Sequence, residues 1–197
     1  MYMQITERVD MSDRSFLFLV GAARAGGNTE MLARRAAKEL PGDVEQRWIR
    51  LPEVPLPPFE DRRHGVGEHP APGEHEQLLM DATFAATDIV IASPVYWYSV
   101  AASVKLYLDY WSGWMRLPVE FKPRMRGKAL WGVSVLSETA REAQPLIGTL
   151  ELCAEYLGMN WGGVLLGNGS RPGDVLLDAD AMTAAQKFFV GADLVTA

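Results

Sequence analysis

The sequence predicts an α/β fold, a doubly wound five-stranded parallel sheet of order 2-1-3-4-5 with helices on both faces. Three observations predict it. Short apolar runs, Phe16-Leu17-Phe18-Leu19-Val20 and Ile89-Val90-Ile91-Ala92, fit strands buried on both faces, which is how parallel strands read. Stretches of helical spacing separate the runs, and strands alternating with helices imply crossover connections and so a parallel sheet. Polar loops bearing glycine or proline, Gly21 to Thr29 and Ser93 to Ser99, follow the first and third runs. In such sheets ligands sit outside the carboxyl ends of the strands, where the strand order reverses.

Residues 1–14 are polar and read as a flexible N-terminal segment, with one domain over 15–197. After the first strand, Asn28 to Leu40 is helical, because Leu32, Ala36 and Leu40 share a face and Pro41-Gly42 stops the pattern. Val44 to Leu51 reads as the second strand. The loop from Pro52 to Gly73 holds half of the chain's 12 prolines and is long enough to be expected to cover something. A helix follows over Glu74–Ala86, then the third strand over Asp88–Ala92, then a helix from Ser99 to Trp111 with Val100, Val104 and Leu108 as its stripe. Ser112 to Arg126 reads as irregular, and its aromatic residues suggest an interface or a packed lid. Lys128–Val135 is the fourth strand and Gln144–Leu157 a helix capped by Gly158. Trp161–Leu166 is the fifth strand and Ala179–Asp193 the last helix.

Several function classes drop out. A net charge of −6 with scattered basic residues offers no phosphate-backbone footprint, so no nucleic acid is expected. No apolar run reaches the roughly 18 residues of a membrane span, and no secretion signal is seen, so the expected compartment is the cytoplasm. The single cysteine, Cys153, reads as a core thiol. His64, His69 and His75 lack ligand spacing, and no metal is expected.

The two loops carry the chemistry. Gly21-Ala22-Ala23-Arg24-Ala25-Gly26-Gly27-Asn28-Thr29 lies between a buried strand and a helix start, where free N–H groups and the helix dipole favour an anion. Arg24 adds positive charge, and Asn28 and Thr29 add donors; the plainer alternative is an ordinary loop with Asn28 as helix cap. Neither the P-loop ending nor the dinucleotide glycine spacing is present. The second loop, Ser93-Pro94-Val95-Tyr96-Trp97-Tyr98-Ser99, offers aromatic surface and backbone donors to a flat ring. Lys105 and Asp109 stand four apart on the next helix and read as a surface ion pair.

The first loop resembles the phosphate loop of the NADPH-dependent FMN reductase family and its quinone and azo reductase relatives, roughly Gly-Ser-x-Arg-x-x-Gly-Asn-Thr before a helix. Here Ala22 stands where the family usually has Ser. The second loop is similar to the family's Pro-x-Tyr-Trp/Phe signature, running into a helix with Lys and, four residues later, Asp. The resemblance implies a flavodoxin-like fold, bound FMN, NAD(P)H as co-substrate, and hydride passage through flavin N5 to a quinone, azo compound, flavin or metal ion. It implies Ala22, Arg24, Gly27, Asn28 and Thr29 at the phosphate, Pro94, Val95, Tyr96, Trp97 and Tyr98 at the ring, and Ser137 from the loop after the fourth strand. The flavin carries the chemistry, so no catalytic acid, base or nucleophile is expected of the protein. One terminal phosphate and no adenylate fingerprint point to FMN over FAD. The alternative is a flavodoxin-type electron carrier without NAD(P)H oxidation of its own. The aromatic residues from Tyr96 to Trp114 exceed what one small domain is expected to bury, so a homodimer or tetramer is expected.

Overall fold

The computed structural model of the chain describes residues 11–62 and 70–190. Its five strands are β1 Ser15–Val20, β2 Glu45–Arg50, β3 Asp88–Ala92, β4 Ala129–Leu136 and β5 Asn160–Asn168. All pairings are parallel and the order is β2-β1-β3-β4-β5, as the alternation of elements predicts. The helices are α1 Asn28–Ala37, α2 Glu74–Ala85, α3 Ala102–Trp114, α4 Phe121–Met125, α5 Gln144–Leu157 and α6 Ala179–Ala185.

Successive strand residues point to opposite faces, so one strand feeds two cores. Leu17 and Leu19 join Ile89, Ile91 and Leu130 under α2, α3, α4 and α5. Phe16, Phe18 and Val20 join Val90, Trp131 and Val133 under α1 and α6. Both cores leave the loops after β1, β3, β4 and β5 at one end of the sheet, which positions the site.

The opposite end is fastened by a buried ion pair. Arg14 Nε donates to Asp88 Oδ2 at 2.9 Å and Arg14 Nη2 to the other carboxylate oxygen, which also accepts Trp131 Nε1–H at 2.8 Å. The guanidinium lies over the Phe16 ring, 4.7 Å from its centroid. The core therefore takes in Arg14, a residue of the segment that the sequence sets before the domain. Met11–Asp13 form a short 3-10 turn and Arg14 belongs to the core, while residues 1–10 lie outside the described residues.

Other boundaries move for identifiable reasons. α1 ends at Ala37, and α6 at Ala185, followed by turns to residue 190; Asp193, the expected end, lies outside the described residues. α3 starts at Ala102 instead of Ser99, because residues 96–99 are spent on a tight turn and Val100-Ala101 are not helical. It then runs to Trp114, three residues beyond the expected end. The stretch expected to be irregular also contains α4.

The aromatic residues of α3 overturn the argument for oligomers drawn from them. Tyr107, Tyr110, Trp111 and Trp114 are all buried within one chain. Tyr107, Trp111, Trp114 and Phe121 pack ring edges on ring faces, and Trp114 Nε1–H donates to Glu76 at 2.9 Å. Burial pushes the Tyr107 phenol up to about 12, and its hydroxyl pairs with Thr83 at 2.7 Å. The described part of the proline-rich loop covers this region: Phe59 packs on Tyr110, whose hydroxyl donates to the Pro57 carbonyl. His75 meets the Pro55 carbonyl, whereas His64 and His69 lie outside the described residues. Cys153 is half-buried against the same core, and burial pushes its thiol pKa up. Lys105 and Asp109 form an exposed ion pair, as their spacing predicts. Among the described residues no helix is long and apolar enough to cross a membrane, and no cluster of metal-ligating side chains occurs.

Candidate functional site

β1 ends at Val20, and the Gly21 N–H still reaches across to the Ala92 carbonyl of β3 at 2.9 Å. The chain then turns through Gly26, whose φ of +61° suits glycine, and enters α1 with Gly27 as N-cap. No side chain caps this helix. Its first internal bond is Met31 N–H to Gly27 O, so the N–H groups of Asn28, Thr29 and Glu30 lack intrahelical partners. Arg24, Gly27, Asn28 and Thr29 line a cleft at this point, and the free N–H groups lie at the positive end of the helix.

Asn28 carries a structural role besides the donor role expected of it, and the helix cap is Gly27. Its Nδ2 donates to Arg171 O and its Oδ1 accepts the Gly173 N–H, each at 2.8 Å. Asn28 thus clasps the loop after β1 to the loop after β5, leaving its backbone N–H and the second Nδ2 hydrogen for a ligand.

Glu30 braces the same helix start. Its carboxylate accepts the Gly26 N–H at 3.0 Å and hydrogen bonds from Arg34 and Arg50. Burial alone raises its pKa, but the bonds from Arg34 and Gly26 and the charges of Arg34 and Arg50 outweigh it, and the net shift is downward from 4.5. A depressed carboxylate contributes stability above its unfolded pKa and loses it as pH falls through the folded value. Glu30→Gln should therefore be less stable than wild type by about 1.5 kcal/mol near neutral pH. The gap should shrink on acidification below the unfolded value. Urea unfolding from about pH 7 to about pH 3 checks it; a pH-independent gap would assign the effect to shape and not to charge.

The second wall follows β3. Ser93 Oγ accepts the Ala101 N–H at 2.8 Å, closing the loop on itself. Tyr96 and Ser99 exchange backbone bonds of 3.0 and 3.1 Å, and between them Trp97 and Tyr98 have φ of 49° and 66°. Two successive left-handed residues define a type I′-like turn, a geometry normally given to Asn and Gly. Each aromatic costs about 1–2 kcal/mol there. The turn projects the side chains outward: Trp97 is 92% exposed and Tyr98 54%. Pro94, Val95 and Tyr96 line the cleft, whereas Trp97 and Tyr98 do not. The helix end expected beside this loop at Ser99 begins instead at Ala102.

Val135, Leu136 and Ser137 supply a third wall at the end of β4. A fourth wall, Gly169, Ser170 and Pro172, is not anticipated by the sequence reading, which treats this segment as a structural turn. It is such a turn as well: Asp174 Oδ2 accepts the N–H groups of Ser170 and Arg171 at 3.1 and 2.7 Å. Gly169 N–H bonds to Leu136 O, Asn168 Nδ2 to Glu138 O, and Asn28 pulls the turn over the cleft. A Cβ on Gly169 would stand 2.8 Å from Val175 N and 3.0 Å from Asn28 Nδ2, so close approach requires glycine there. The available sequence signal was the glycine at a strand's carboxyl end.

The cleft is bipolar. Arg24 and the helix N–H groups favour an anion at one end, and Pro94, Val95, Tyr96 and Leu136 give an apolar edge at the other. Among the described residues, Arg24 and Tyr96 are the ionisable side chains that line it, and no carboxylate, histidine or thiol among them faces it for proton or nucleophilic chemistry. Such a donor set fits a phosphorylated planar cofactor that brings its own reactivity.

The sequence pattern of the NADPH-dependent FMN reductase family matches residues 15–162. A Bacillus subtilis protein, YwqN, named as an NAD(P)H-dependent FMN-containing oxidoreductase, is 32% identical over 178 residues, covering 89% of this chain and 96% of its own. The structure of the Trp repressor binding protein from Bacillus subtilis superposes with a TM-score of 0.71 at 26% identity, over 90% of this chain and 99% of that one. An FMN-dependent NADH-azoreductase from Bacillus anthracis, solved in complex with FMN, shares the fold with a TM-score of 0.60 at 12% identity, over 89% of this chain and 97% of that one. The matched stretch takes in four strands and part of the fifth, with both of the loops that face each other across the cleft. The chain belongs to the NADPH-dependent FMN reductase family, flavodoxin-like NAD(P)H-dependent oxidoreductases that use FMN.

Proposed function

We propose that this cleft holds FMN with its phosphate at Arg24 and the N-terminus of α1 and its ring along Pro94-Val95-Tyr96. We further propose that the protein oxidises NAD(P)H to reduce a small acceptor: a quinone, an azo compound, a free flavin or a metal ion. The observation that supports this most directly is the bipolar cleft, whose described lining carries no carboxylate, histidine or thiol. Bound FMN would supply the redox chemistry, accepting a hydride at N5 and returning two electrons to the acceptor. The protein's tasks are binding and orientation. Arg24 would neutralise the phosphate, the N–H groups at the start of α1 would donate to it, and the Val135 to Ser137 and Gly169 to Pro172 walls would limit where the ring can lie.

Heat release and chromatography should give FMN as the main cofactor, and steady-state NAD(P)H oxidation with a quinone should separate a reductase from an electron carrier. FAD as the main species, or no turnover with either nicotinamide, would overturn the corresponding part. Arg24→Ala removes a charge-assisted contact worth about 1.5–3 kcal/mol, so FMN affinity should fall roughly tenfold to a hundredfold. Riboflavin, lacking phosphate, should bind both forms alike; titration of flavin fluorescence measures both.

We place the enzyme in the cytoplasm as a homo-oligomer. Support for association narrows to the exposed apolar groups, chiefly Trp97 and its neighbours Tyr96 and Tyr98, with Leu152 and Tyr156 on α5. A monomeric mass by light scattering at micromolar concentration would count against it.

A further inference from the structure

We propose that Arg50 is a positioning residue for the phosphate cradle, setting the path of the loop backbone at Ala22 and Arg24, which line the cleft, without touching the cofactor. The proposal rests on the reading in which this cradle holds the FMN phosphate. Arg50 is the last residue of β2, absent from the cleft lining, and its side chain is only 15% exposed. From there its guanidinium reaches under the loop after β1. Nη2 approaches Ala22 O at 3.5 Å and Nη1 approaches Arg24 O at 3.4 Å. Nη1 also donates to Glu30 Oε2 at 2.8 Å, and Nε to Glu53 Oε1 at 2.7 Å.

The two carbonyl contacts are long and individually weak. The carboxylates on either side fix the guanidinium plane, and that fixed plane holds both carbonyls at once. In a trans peptide the C=O and the following N–H point in opposite directions. Drawing Ala22 O and Arg24 O toward Arg50 therefore turns the N–H groups of Ala23 and Ala25 away from it. Neither N–H has a hydrogen-bond partner among the described residues. Glu30 adds the third tie by holding the Gly26 N–H. Only a planar fork reaches this many acceptors, so lysine is not an equivalent.

The role is geometric and not electrostatic. Arg34 and Arg50 are balanced by Glu30 and Glu53, so the bracing group is neutral as a whole. Arg24, which lines the cleft and has no ion pair among the described residues, is the charge the phosphate would sense. The two arginines should thus differ in how salt affects their loss.

The experiment measures FMN and riboflavin dissociation constants for wild type, Arg24→Ala, Arg50→Met and Arg50→Lys at low and high salt. For Arg50→Met the preference for FMN over riboflavin should fall about tenfold, with riboflavin affinity within about twofold of wild type, while the charge-preserving Arg50→Lys is the variant that should keep the wild-type salt dependence. Arg50→Lys, which keeps the charge and loses the fork, should fall in the same direction and carries the test if Arg50→Met does not fold. Arg24→Ala should lose preference and salt dependence together. If both Arg50 variants keep the wild-type ratio while Arg24→Ala loses it, Arg50 is an ordinary bridging ion pair and the inference fails. Parallel losses for both flavins would mean a merely structural role and would also overturn it. An unchanged ratio in Arg24→Ala would instead remove the phosphate from this loop, and the underlying reading with it.

Discussion

Asp88→Ala should destabilise the protein by about 3–5 kcal/mol, the usual consequence of removing one partner of a buried ion pair. For a chain of this size that is a fall in melting temperature of roughly 6–20 °C. The cost comes from what is left behind. Arg14 would remain buried with no carboxylate, and Trp131 Nε1–H and Thr87 Oγ1–H would lose an acceptor. The Phe16 and Trp131 ring faces soften the loss, since the guanidinium sits over both, but each such contact contributes only about 1 kcal/mol. Replacing the pair together, Arg14→Met with Asp88→Leu, should cost well under the sum of the single changes, because no lone charge is then buried. Asp88 heads β3 at the end of the sheet opposite the cleft, so FMN affinity of the folded fraction should stay near wild type. Denaturant unfolding with flavin titration separates the two effects. A loss below about 1 kcal/mol would mean that water reaches the pair.

What could be read in the sequence and what could not divides along burial. β1 and β3 are visible because strands covered on both faces must be apolar throughout, and the expected bounds of β3, Asp88–Ala92, are the observed ones. The loop after β1 is visible because glycine, arginine and a helix start converge there. Arg14 escapes a sequence reading because a charged residue beside a polar stretch reads as exposed, and its partner is 74 positions away. The same distance in sequence hides Arg50, whose acceptors lie on another strand's loop. The start of α3 is not legible because residue type alone does not announce that Trp97 and Tyr98 are left-handed, a conformation usually given to Asn or Gly. The four aromatics of α3 read as more than one small domain buries, because composition counts them without showing the pocket that the proline-rich loop and α4 close over them. Gly169 to Pro172 joined the site through the Asn28 amide, a long-range contact that no local pattern encodes.

Gly21→Ala should disturb both stability and the cleft, since Gly21 is where β1 hands over to the cradle. A Cβ there would lie 2.3 Å from Val104 Cγ2, well inside contact distance, with Ser103 Oγ and the Ala101 Cβ close behind. Val104 is fully buried on α3 and β-branched, so it has little freedom to turn aside. Backbone must move instead, and overpacking of this severity belongs at the upper end of the usual range, about 3 kcal/mol. The movement has two routes. If α3 retreats, Ser103 Oγ loses the Gly21 carbonyl it now meets at 3.1 Å; if the loop retreats, the Gly21 N–H leaves Ala92 O. Either route shifts the first wall of the cleft against the second, so FMN affinity should fall at least tenfold, about 1.4 kcal/mol. Val104→Ala alone leaves a cavity and should cost about 1 kcal/mol or more. Combined with Gly21→Ala it makes room for the new methyl group, and the double variant should recover both stability and FMN binding beyond additivity, with a coupling of at least about 1 kcal/mol. Strict additivity in the double-mutant cycle would show that the strain at Gly21 is released somewhere other than α3, and that this contact does not set the spacing of the two walls.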